Sequence, residues 1–138
     1  MGQQQLLLLV MGIIIVGVAV MAGLFAVQDQ LQKSQADNIV SRNLEIASSA
    51  VMWKTKRDPY SGGNQSYSRL NTNGFAELFM DSETDDAYYA LNSPSTLELE
   101  ITGVAKRYPN IGARTYVNDY DVLLTDVKYN GTYTIPTP

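Results

Sequence analysis

The chain has 138 residues, a formal charge of −4, and neither cysteine nor histidine, so disulfides and the commonest zinc ligands are excluded. The length allows one domain with an appendage. Charge is unevenly placed: none through residue 28, five basic and three acidic residues over 29–57, then five basic and eleven acidic over 58–138, an acidic surface without the basic stripe that nucleic acid requires.

The N-terminal stretch MGQQQLLLLVMGIIIVGVAVMAGLF has no charged side chain, and Leu6 to Ala26 has no strongly polar one either. As a helix this run spans ~30 Å, the thickness of a bilayer core. Apolar residues occupy every side of its wheel, so lipid or protein must surround it. Three readings fit: a cleaved signal peptide, a single-pass anchor, or a helix buried against copies of itself. A signal peptide calls for a positive n-region and a shorter apolar stretch; here Met1, Gly2 and three glutamines precede a long one. An anchor calls for flanking basic residues to orient it, but Lys33 and Arg42 are interleaved with Asp29 and Asp37. A mature product whose basic leader has been removed would account for the missing charge. Gly12, Gly17 and Gly23 punctuate the run and would permit close helix approach or local melting.

Beyond residue 28 the pattern becomes amphipathic. Ala36, Val40, Leu44, Ala47 and Val51 recur at helical spacing, and Ile39, Ile46, Ala50 and Trp53 make a neighbouring stripe. Gln32, Lys33, Arg42, Glu45 and Ser48 take the other side. One helix is expected from about Gln3 to about Lys56, stopped by Asp58-Pro59. Lys54, Lys56 and Arg57 at its end suit the helix dipole.

Residues 58–86 are rich in Gly, Ser and Asn and read as a loop, with one helical turn at Phe75–Met80 packing Phe75, Leu78 and Phe79. Strands are expected at 88–91, 96–102, 113–117 and 120–129. In the second, Leu97, Leu99 and Ile101 alternate with Glu98 and Glu100. Asn130-Gly131 is the strongest hairpin signal and would return Thr132–Ile135 antiparallel. The expected class is α+β: a long N-terminal helix, apolar then amphipathic, packed on a C-terminal antiparallel sheet of about four strands. It divides into an apolar helix (1–28) and a globular head (29–138) composed of helix (29–57), loop (58–86) and sheet (87–138).

This layout resembles that of type IV pilins and pilin-like filament subunits: over the whole chain in architecture, and over about the first 28 residues in sequence. The resemblance implies a structural subunit that begins in the inner membrane, loses a leader, and is handled by a pilus assembly machinery. It then polymerises into an extracellular, cell-surface filament, with adhesion, motility, uptake and conduction all left open as its purpose. Contacts would run through Leu6, Leu9, Gly12, Ile13, Val16, Gly17, Val20 and Leu24, with Met1 and Gln5 at the head of the helix. With Met1 as first mature residue, Gln5 falls where the family carries a glutamate that pairs with a neighbour's terminal amine. Glutamine accepts a hydrogen bond but supplies no charge, so Gln3, Gln4 and Gln5 would solvate the amine jointly. The family's proline near the end of the run and its C-terminal disulfide are missing. The alternatives are a membrane-anchored monomeric binding module and a minor pseudopilin of a secretion system.

Chemical motifs are few. Asp81, Glu83 and Asp85 alternate in DSETDD, as calcium ligands in a loop do, but Asp86 stands where a turn glycine would be needed. No nucleophile and base are suitably spaced for catalysis, and no cofactor is expected. All nine tyrosines follow Pro59, which suits sheet packing and interfaces.

Overall fold

The computed structural model describes residues 2–129, and the expected Asn130-Gly131 turn and 132–135 strand lie outside them. Helix α1 runs Gly2–Thr55, followed by α2 (Leu70–Glu77), β1 (Ala87–Asn92), β2 (Glu98–Ala105), β3 (Gly112–Asn118) and β4 (Asp121–Lys128). By internal contacts the chain divides into two units, residues 1–33 and 34–138. The division falls later than the one expected after residue 28; Ala36 is the first helix residue to be buried.

In the second unit the four strands form an antiparallel sheet in the order β1-β2-β3-β4. The helix stripe Ala36, Ile39, Asn43, Ile46, Ala47, Ala50 and Trp53 is buried and shares one core with Tyr89, Leu99, Ile101, Ala105, Ala113 and Val117 from the sheet. The approach is close because small residues line it. A Cβ added at Gly103 would lie 2.5 Å from Ile39 Cγ2 and 2.9 Å from the Tyr89 ring. Asn43, wholly buried, donates from Nδ2 to the Ala113 carbonyl at 3.2 Å and ties the middle of this helical segment to β3.

The end of α1 is closed by its own return loop. The N–H groups of Gly63, Asn64 and Gln65 donate to the carbonyls of Trp53, Lys56 and Lys54. These are carbonyls that a helix terminus leaves unpaired. Gly63 makes this possible, since a Cβ there would sit 2.7 Å from the Trp53 ring and 2.8 Å from Lys54 Cα.

Three expectations are corrected. Leu44 is 43% exposed, because the sheet covers the stripe centred on Asn43 and Ala47 and leaves its flank open. Leu97 precedes β2 and is exposed, in a turn where the Ser95 N–H donates to the Glu98 carbonyl and Ser95 Oγ accepts from the Glu98 N–H. The 58–86 segment is more than loop. Residues 70–77 form α2, kinked at Asn73, and the bare Gly74 gives room to Leu91 of β1, whose Cδ1 would lie 2.5 Å from a Cβ added there. Phe75 packs at the core margin and Leu78 is buried, but Phe79 is 88% exposed with φ 55°.

Gly103→Ala is expected to destabilise the second unit by ~1–3 kcal/mol, the cost of overpacking a close seam. Urea unfolding of the full chain in detergent, followed by the fluorescence of Trp53, checks this.

Candidate functional site

Two regions stand out, one in each unit. The first is the surface of α1 over the apolar run. It is long and apolar enough to cross a membrane, and none of its most apolar stretch is buried. From Leu6 to Phe25 the large side chains are 44–69% exposed. Helical spacing brings Gln5, Leu6, Leu9, Ile13, Val16, Gly17, Val20 and Leu24 onto one side, with Gly12 on its flank. Met1 lies outside the described residues. The opposite side, with Leu8, Met11 and Ile15, is just as open, so exposure singles out no seam. Added Cβ atoms at Gly12, Gly17 or Gly23 would meet nothing within 4 Å among the described residues. No acidic residue stands in the first turn to meet the positive end of the helix dipole.

The second region is a polar cluster at the end of α1 that sequence reasoning missed. Lys54 was read as one of three cations serving the helix dipole; it is instead 1% exposed, while Lys56 and Arg57 face solvent. Its Nζ donates to Asp119 Oδ1 at 2.7 Å and to the Asp119 carbonyl at 3.2 Å. It also sits 4.5 Å from the centre of the Tyr67 ring and 4.8 Å from that of Tyr120. The Tyr67 hydroxyl donates to the same Asp119 carbonyl at 2.6 Å. Asp119 can serve so many donors because it occupies the β3–β4 turn at φ 55°, a conformation that Asp tolerates better than most residues. Burial pushes the Tyr67 phenol up to about 12, aided by the Asp119 charge and by Tyr120. The available signal was the dipeptide Asp119-Tyr120 between two β-formers, a hairpin turn less conspicuous than Asn-Gly.

The acidic loop is engaged differently from a calcium site. Asp81, Glu83 and Asp85 are exposed. Glu83 accepts a hydrogen bond from Lys106, whose ammonium lies 4.7 Å from the centre of the Tyr88 ring. Among the described residues no group of three or more carboxylates is placed to hold a metal ion.

No family model, curated protein or solved structure matches this chain.

The Lys54 cluster is asymmetric, because Lys54 is buried and the Asp119 side chain is 52% exposed. Asp119→Asn leaves the buried ammonium its oxygen acceptors but removes its counter-charge, whereas Lys54→Met leaves a carboxylate that can turn to water. The first is expected to cost ~3–5 kcal/mol and the second ~1–2 kcal/mol in urea unfolding, in keeping with the penalty for an uncompensated buried charge. A second outcome concerns pH. The folded state holds the Tyr67 proton more tightly than the unfolded chain does, so its contribution is complete below the ordinary tyrosine value of 10.0 and is lost as pH rises toward about 12. Tyr67→Phe should flatten that alkaline decline, read as the urea midpoint between pH 9 and 11.

Proposed function

We propose that this chain is a structural subunit of a helical surface filament, resembling a type IV pilin, that polymerises through the apolar half of α1. The observation that carries the reading is the exposure of that helix on every side. At ~25 cal/mol per Å² of apolar surface, wetting it would cost on the order of tens of kcal/mol. A bilayer can shelter it before assembly, and sibling helices can shelter it afterwards. The absence of one favoured side suits a bundle, in which each helix has neighbours all around. Small residues at Gly12 and Gly17 suit close packing there. The acidic residues 58–138 would then form the exterior. Head-to-tail addition by a rotation that does not close gives an open polymer.

Electron microscopy of the purified full-length chain after detergent removal is the test. Filaments ~50–100 Å wide are expected from staggered helices of this length. Dispersed single particles that stay monomeric in detergent would instead favour a membrane-anchored binding module and would sink the filament. Gly17→Leu separates the two environments of the helix, since it stays apolar but cannot be approached closely. It is expected to enter membranes as the wild type does, by carbonate extraction, and to lower filament yield at least tenfold.

A further inference from the structure

Among the described residues the second unit carries two exposed apolar patches, one toward β1 and one at the start of β4, the outer strands of the four. The first is a groove beside the end of α1, lined by Met52, Trp53, Leu78 and Phe79, with Lys56 and Glu77 on its walls. It lies toward β1, against which α2 packs. Met52 is 67% exposed and Phe79 88% exposed. Phe79 is held at φ 55°, which is unfavourable for a bulky residue. The main chain thus tolerates strain at a position where the aromatic ring is wetted. Trp53, otherwise buried, has its indole N–H without an acceptor among the described residues. The second patch is the start of β4, where Tyr120, Val122, Leu123 and Leu124 are all 43–64% exposed. A register shift at Tyr116/Val117 disturbs the β3–β4 pairing there. It is flanked by Asp121, and Leu123 shares a hollow with Glu98 and Glu100.

We propose that these patches are the two halves of one contact between copies of this chain: the β4 start of one copy docks in the Met52–Phe79 groove of the next. Each patch is apolar at its centre. The groove has Lys56 and Glu77 on its walls and Arg57 following, a small positive excess, whereas the β4 patch has Asp121 at its rim and Glu98 and Glu100 in the adjoining hollow; two β4 patches would repel, and a β4 patch facing the groove gains a cation. Because one lies toward β1 and the other at the start of β4, a copy that offers one patch leaves the other open. The contact is heterologous and propagates instead of closing into a pair. Exposed aromatic and aliphatic side chains ringed by charge are what such an interface requires. The proposal rests on the filament reading for a supply of adjacent copies, and it assigns heads as well as helices to the polymer.

The chain has no cysteine, so introduced thiols report cleanly. In full-length protein after detergent removal, the double variant Phe79→Cys/Leu123→Cys is expected to give, on oxidation, a covalent ladder extending beyond dimers. An equal mixture of the two single variants should stop at dimers, and either single variant alone should give none. Dimers from Leu123→Cys alone would mean edge-to-edge pairing and would overturn the proposal. Filaments without a ladder would overturn it while leaving the proposed function standing. A ladder without filaments would uphold this contact and remove the filament; absence of both removes both. As a second measure, Lys56→Glu should cut the ladder at least fivefold, and adding Asp121→Lys should restore it.

Discussion

An apolar rod cannot be left in water, and that constraint governs everything else in this molecule. Leu6 to Ala26 offers hydrocarbon on all sides, and its most apolar stretch is not buried by any of the described residues. Ordinary folding resolves such a demand inside one chain; here it is left to lipid or to other chains. The polar features at the start of α1 fit the same constraint. Glutamines can satisfy backbone groups without carrying a full charge into an apolar setting, where an unpaired one is costly.

The same helix changes its solvent part-way along. Beyond Lys33 one side of it becomes buried, as a single stripe in which Ala36, Ala47 and Ala50 alternate with larger residues such as Ile39, Ile46 and Trp53. Ala36, Ala47 and Ala50 share one core with Ala105 and Ala113, and Gly103 lies against Ile39. Close approach increases dispersion contacts per unit length, but it leaves no room for adjustment. Specificity in this seam therefore comes from polar groups placed among the alanines. Asn43 and Lys54 each have one residue that fits them, Ala113 and Asp119. A shift of α1 by one turn would bury both without partners, at the cost of unsatisfied polar groups.

Periodicity carried most of the fold and failed at instructive places. The helix, the four strands and their antiparallel class were legible because apolar spacing of 3.6 or 2 reflects which side is buried. Leu44 misled because the pattern defines a face wider than a four-stranded sheet can cover. The helix at 70–77 was hidden by Asn71, Asn73 and Gly74, poor helix formers that a tertiary contact with Leu91 overrides. Lys54 was illegible for a different reason. Its partner is 65 residues away, and a lone cation at a helix end looks the same whether it meets water or an aspartate. The apolar run, by contrast, was readable in extent, though its direction of contact was not. The structure leaves every side open, so no stripe was there to be read.

The two polar ties in the head also bear on how the molecule would carry tension. Asn43 and Lys54 are eleven positions apart on α1, about three helical turns or ~16 Å. Both bonds reach from the helix to the β3 region, Ala113 in the strand and Asp119 in the turn after it. A tug along the helix axis therefore loads them together, in shear, with the alanine seam between them. Rupture by that route needs the whole stripe to slip at once, whereas prying from one end would break the ties one by one.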